Sequence, residues 1–275
     1  MIKAWLRENI RKIIAKDIIW AVYDSTINRI SEYSVIQRNE TLKTRVKALV
    51  AKKGVLNGPF SGMRYGNRAY GSFLMPKLLG TYEMEVHSIV NDVIQNPPGI
   101  FIDVGCAEGY YAVGFALKCP NAHVLAFDIA EEARELTKEL ALANGVEDRV
   151  EIRSEFRAEK VMPESLGNSS FLLCDTDGAE SEIFQQETVP LFKNCRILVE
   201  THDGYVAGVT DKLLNIFRHT HEALVIDSNC DYKIKSLKYR TPAFRETNRV
   251  LRGRFFEEGR PFPQKWICFT PKGLS

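Results

Sequence analysis

From residue 100 onward the chain alternates short apolar runs with segments of helical period. Ile100-Phe101-Ile102-Asp103-Val104, His123 to Asp128, Arg149 to Arg153, Ser170 to Asp175, Arg196 to Thr201 and Ala223 to Asp227 are the runs. Runs this short, apolar on successive positions, predict strands buried on both faces. Between them lie Tyr110 to Leu117, apolar and small like a buried helix, and Glu131 to Asn144, stopped by Gly145. Gly178 to Phe192 and Asp211 to His219 read as two further helices, and Lys265 to Thr270 as a last short strand. Strands and helices in strict alternation predict a doubly wound α/β sheet, whose strand tips converge on a ligand crevice.

The first hundred residues follow a different pattern. Ile2, Trp5, Leu6, Ile10, Ile13, Ile14 and Ile18 recur at helical spacing, with Arg7, Arg11, Lys12 and Lys16 opposite. Such a helix either lies on an anionic membrane or packs on its own domain or on a second copy. Ile18 to Tyr23 is apolar all round and would need full burial, which favours packing. Residues 40–53 continue as a basic helix that ends at Gly54. Residues 57–80 hold too many glycines and prolines for a long helix or a central strand. They cover a site or merely connect. From Gly80-Thr81-Tyr82-Glu83 a helix is expected to run to about Gln95, with Thr81 as its cap and Pro97-Pro98 as its stop. The expected organisation is a basic helical extension at 1–56, a glycine-rich loop at 57–80 and a catalytic domain at 81–275 with an insertion at 228–265.

Charge sharpens this division. The net charge of +2 conceals +7 on residues 1–56 and +6 on 228–265, which leaves −11 on the acidic body between them. No run of about 18 apolar residues is present. The N-terminus lacks a secretory pattern, and the six cysteines form no CxxC pair. A cytoplasmic location is expected, with buried free thiols.

The candidate chemistry centres on Asp103-Val104-Gly105-Cys106-Ala107-Glu108-Gly109, a glycine turn between strand and helix. Gly105 admits backbone angles closed to other residues, and Gly109 lets a ligand or strand come close. Ala107 stands where the dinucleotide fingerprint G-x-G-x-x-G has its second glycine. Glu108 puts a negative charge where a pyrophosphate would sit, so a cationic ligand is expected. About 20 residues on, Asp128 closes the second strand at the usual distance for a ribose-binding acid. Asp103, Glu108 and Asp128 together suit a ribose with an amine-bearing cationic tail. S-adenosylmethionine (SAM) has that tail and NAD does not. An ordinary βαβ unit, its acids capping helices, is the plain alternative.

Asp103 to Tyr111 resembles the first motif of FkbM-type class I SAM-dependent methyltransferases. Leu172-Leu173-Cys174-Asp175-Thr176-Asp177-Gly178-Ala179-Glu180 resembles that family's acid–Gly–Ala–Glu motif, with Asp177 where the family more often has Glu. The resemblance covers roughly 81–227. It implies a Rossmann-like, seven-stranded, mostly parallel sheet with an antiparallel final strand, and SAM as cofactor. It also implies a cofactor-binding set of Asp103, Val104, Gly105, Glu108, Gly109, Asp128 and Ile129, with Glu155 at the adenine amino group; for Glu155, a solvated loop acid is the alternative. Tyr82 and Glu83 are implied near the methionine end; for Glu83, a first-turn acid favoured by the helix dipole is the alternative. Asn96-Pro97-Pro98-Gly99 resembles the NPPY sequence of amino-methylating enzymes, but it precedes the glycine turn, whereas that sequence ends the fourth strand.

Asp175 and His202 are the expected catalytic residues, Asp175 to orient the acceptor and His202 as base. His202 reads equally as a capping or core residue. A metal through Asp175, Glu200 and Asp203 ranks below the metal-free base, because their spacing matches no metal motif. O-methylation of a small molecule or a glycan is the expected function. The rivals are methylation of RNA or another anionic acceptor through the basic, aromatic 228–265 segment, and a binding module that keeps the fold. An NAD-dependent oxidoreductase is disfavoured by Ala107 and Glu108. A homo-oligomer formed through the N-terminal helices and peripheral membrane contact are further expectations.

Overall fold

The computed structural model describes residues 39–162, 169–228, 235 and 255–273. The chain divides into two compact units, 1–45 and 46–275. The amphipathic 2–30 segment, and with it the oligomer and membrane expectations, lies outside the described residues, as does most of the 228–265 insertion. A basic helix covers residues 39–53. The sheet belongs to the second unit.

Seven strands form one sheet: β1 Ile100–Val104, β2 His123–Phe127, β3 Val150–Arg153, β4 Ser170–Cys174, β5 Cys195–Thr201, β6 His221–Asp227 and β7 Lys265–Pro271. Their order is β3-β2-β1-β4-β5-β7-β6. β1 to β5 pair in parallel, and β7 runs antiparallel between β5 and β6. This is the doubly wound, mostly parallel sheet that the alternating pattern predicts.

The apolar runs become central strands because both of their faces are covered. On one face Phe101, Val124, Ala126, Phe171 and Leu173 pack beneath α3 (Tyr110–Lys118), with Phe101 4.0 Å from Phe115 between ring centroids. On the other, Ile102, Val104, Leu125, Phe127, Leu172 and Cys174 form a second core with Phe184, Phe192 and Phe217. Alternate residues of each strand therefore serve opposite layers. β6, at the sheet edge, is exposed along most of its length. The five described cysteines are buried free thiols. Among the described residues no helix is long and apolar enough to cross a membrane.

Two expected helices are shorter than their patterns predict. The 57–80 loop contains α1 (Leu74–Leu79), and the next helix, α2, begins only at His87 and runs to Gln95. Thr81 does not cap it: its hydroxyl reaches back to the Pro76 carbonyl, and Glu83 takes left-handed backbone angles (φ 49°, ψ 48°) that no α-helix can contain. The other is the 178–192 segment. Only Glu180–Ile183 is α-helical there, Phe184 is extended, and a 3₁₀ turn follows around Pro190. The Glu131–Asn144 helix (α4) forms as expected and closes on left-handed Gly145.

Candidate active site

A cleft of about 1030 Å³ opens across the C-terminal ends of β1 to β5. Its shape follows from the turns at those ends. After β1, the Gly105 and Cys106 amides both donate to the Phe127 carbonyl at 2.9 Å, which folds the chain back over β2. A Cβ on Gly105 would lie 1.8 Å from the Asp175 carbonyl oxygen, so only glycine lets the β1 and β4 turns cross. Ala107 is left-handed (φ 50°), so the alanine in place of the fingerprint's second glycine still makes the turn. Asp128 fixes it there: Oδ2 accepts the Ala107 amide and Oδ1 the Ala130 amide, each at 2.9 Å. Three described non-glycine residues are left-handed, Glu83, Ala107 and Asp177, and all three line the cleft. Strain held in such positions gathers where function needs a fixed geometry.

The sequence-predicted set divides. Val104, Gly105, Asp128, Ile129, Glu155, Tyr82, Glu83, Asp175 and His202 line the cleft. Glu155 sits in the loop after β3 and is bound to Arg157 (2.8 and 3.0 Å). Asp103, Glu108 and Gly109 are not part of the lining. Glu108 is buried and spent on Lys77, the Tyr65 hydroxyl and the Tyr70 amide, so it presents no charge to a ligand. Inferring a cationic ligand from Glu108 was therefore mistaken; Lys77 neutralises it. Gly109 serves helix packing, since a Cβ there would touch Thr137 of α4. Asp103 is 1 % exposed in the apolar layer under α3, and neither carboxylate oxygen finds a hydrogen-bond partner. Burial pushes its carboxyl up to about 8.

At the far end of the cleft the strand tips converge on His202. The Asp175 amide binds the Val104 carbonyl at 2.9 Å, which brings the β4 turn beside β1. Glu180, fully buried, accepts at Oε1 from the Thr176 amide, the Thr176 hydroxyl and the Gly178 amide. The same oxygen lies 2.9 Å from His202 Nδ1, so Nδ1 carries the proton. Nε2 faces Asp175 Oδ1 at 3.6 Å, Asp177 Oδ1 at 3.5 Å and Glu200 Oε2 at 3.6 Å. Burial alone would lower the imidazole pKa. The hydrogen bond to Glu180 and the charges of Asp175, Glu180 and Asp177 outweigh it and raise the pKa above the ordinary value. A raised pKa makes the imidazole a stronger base but leaves less of it unprotonated near neutral pH. Asp203, considered above as a metal ligand, instead caps the helix Val209–Phe217 by accepting the Thr210 hydroxyl and amide.

A second group was missed in the sequence. Arg260, nearly buried, places Nη1 2.9 Å from Glu200 Oε1, Nη2 3.1 Å from Glu85 and 3.6 Å from Glu83, and Nε 3.3 Å from Glu258. Glu258 also pairs with Lys235 and accepts the Glu83 amide at 2.9 Å, which holds Glu83 in its left-handed turn. Tyr111 donates to the Glu83 carboxylate. Desolvation carries the Glu83 carboxyl up to about 8 despite Arg260, and raises Glu200 well above the usual carboxylate range. The only trace of this in the sequence is the acid pair Glu257-Glu258 in an otherwise basic segment.

No family model matches the chain, and no curated protein does. Solved structures are similar at low identity. A precorrin-8w decarboxylase of Methanobacterium thermoautotrophicum is 19 % identical, over 68 % of this chain and 89 % of its own, with a TM-score of 0.43. The O-methyltransferase TomG of Streptomyces achromogenes, in complex with SAM, is 12 % identical over 65 % and 76 %, with a TM-score of 0.42. An O-methyltransferase of Bacillus cereus, in complex with SAH, is 11 % identical over 65 % and 77 %, with a TM-score of 0.40. None of these likenesses is strong enough to place the chain in a family, and function has to come from the site itself.

Proposed function

We propose that this protein is a SAM-dependent methyltransferase that methylates a hydroxyl of a small molecule or a glycan. The observation that carries the proposal is the charge layout of the cleft: an acid at the β2 tip, and a cluster of buried carboxylates about the β4 and β5 tips. The donor set fits the cofactor. Each Asp128 oxygen accepts one backbone amide and keeps acceptor capacity for a ribose hydroxyl. Glu155, in the loop after β3, is the candidate partner of the adenine amino group. Glu83, Asp175 and Glu200 offer carboxyl oxygens that can accept hydrogen bonds from the ammonium of a cationic tail. When bound, SAM supplies a methyl group made electrophilic by its sulfonium.

The protein's own contribution is orientation and charge. Asp175 and His202 stand where an acceptor hydroxyl would meet that methyl group, and Glu180 fixes the imidazole plane. Holding the reactants in line is worth several kcal/mol or more of barrier. The rival reading of RNA or another anionic acceptor rests on the 228–265 segment, most of which lies outside the described residues. The lysine and arginines of the lining, Lys77, Arg157 and Arg260, are each already bound to a carboxylate, leaving no free cation among them for a phosphate.

Calorimetric titration with SAM, its demethylated product and NAD tests the proposal. Micromolar or tighter binding of the first two and none of NAD is expected. Binding of NAD alone would return the fold to dinucleotide chemistry.

A further inference from the structure

We propose that Asp175, Glu200 and His202 form a binding site for a divalent transition-metal ion, with Glu180 as the residue that positions His202 for it. That the ion binds is independent of the methyl-transfer reading; what it would do to an acceptor rests on that reading.

Three elements of geometry carry this. Asp175 and Glu200 follow directly on Cys174 and Val199, which are register partners at the end of β4 and near the end of β5, so the two residues lie side by side. His202 follows two residues later, and one donor atom from each of the three lies within 4.8 Å of the others. Second, the His202 side chain is 1 % exposed, yet no hydrogen bond closes on Nε2. That nitrogen points into the cleft among three carboxylates, each 3.5–3.6 Å away. Donors sharing one ion through bonds of about 2.1 Å stand about 3.0–3.4 Å apart, so an ion would draw the three donors together from separations of up to 4.8 Å. Third, the flanking groups hold the donors in place. Glu180 takes the proton on Nδ1, the carboxylate–histidine pairing that fixes metal-binding imidazoles in other proteins. Arg260 holds Glu200 by Oε1, which leaves Oε2 towards His202.

The donors name the ion's class. One imidazole with carboxylates suits Mn²⁺, Fe²⁺ or Zn²⁺ better than Ca²⁺, which takes oxygen ligands. Asp177, 78 % exposed on the cleft rim, is within reach as a fourth ligand. On the methyl-transfer reading, an ion there would bind the acceptor's hydroxyl oxygen and ease loss of its proton.

The test strips the full chain with a chelator, then titrates Mn²⁺ alone, reading free Mn²⁺ by electron paramagnetic resonance and heat by calorimetry. SAM is titrated in parallel, and circular dichroism checks folding of every variant. One Mn²⁺ per chain is expected. Asp175→Asn and His202→Gln should each lose at least about 100-fold in Mn²⁺ affinity, and Glu180→Gln about 10–100-fold. Asp203→Asn, at the helix cap, should bind Mn²⁺ like the wild type. Mn²⁺ binding without SAM binding would support the metal site while removing the methyltransferase reading. SAM binding with no Mn²⁺ bound, or ligand variants that bind Mn²⁺ as well as the wild type, would overturn the metal site alone.

Discussion

Single carboxylates set the character of this site, and their environments assign them different work. Asp128 is tied by two amides and faces the cleft, so Asp128→Ala should weaken SAM binding about 10–100-fold, the worth of one or two hydrogen bonds to a charged group. Asp128→Asn should fall between, by the same calorimetry. Asp103 is buried and does not line the cleft. Its carboxyl, pushed up to about 8, stays protonated in the folded chain while the unfolded chain ionises near pH 4. Its contribution to stability is thus whole below about pH 4 and is lost as pH rises to about 8. Asp103→Asn should flatten that slope in thermal melts, and at pH 9 should melt several degrees above the wild type, given about 1–3 kcal/mol for an unpaired buried group. Asp128, Asp175 and His202 could be found in the sequence because each ends an apolar run. Glu108 misled because its neutralising partner, Lys77, lies 31 residues away. Arg260 went unseen for the same reason: its partners are brought to it only by the fold.

At the scale of elements, turns decide the geometry and a few residues decide the turns. Gly105→Ala combines a left-handed backbone with a clash against the β4 turn. It should cost more than about 2 kcal/mol in urea unfolding, beyond the ordinary Gly-to-Ala range. The 258–264 segment is pinned to the cleft by Arg260. Arg260→Ala leaves Glu83, Glu85, Glu200 and Glu258 without their shared cation, a loss of about 3–5 kcal/mol by the usual cost of breaking a buried pair. At pH 5 more of these carboxyls keep their protons, so the deficit should shrink there, and urea melts at pH 5 and pH 8 would show it. Strands were legible because burial on both faces demands uninterrupted apolar residues. The helices expected at 81–95 and 178–192 were not, because Glu83 is turned by Glu258, 175 residues away, and Pro190 and extended Phe184 break a pattern that remains apolar.

For the whole molecule, topology followed from the alternation of runs, and the antiparallel β7 agreed with the family resemblance. The acceptor is less legible, since its contacts come from loops whose composition names no ligand. The central claim is that the β2 acid and the β4–β5 carboxylates embrace an adenosyl sulfonium. Its most direct test is a crystal structure of the chain grown with S-adenosylhomocysteine. The account predicts the ribose hydroxyls within hydrogen-bond distance of Asp128 and the amino-acid end beside Glu83 and Asp175. A ligand bound elsewhere, or with its ribose away from Asp128, would contradict it.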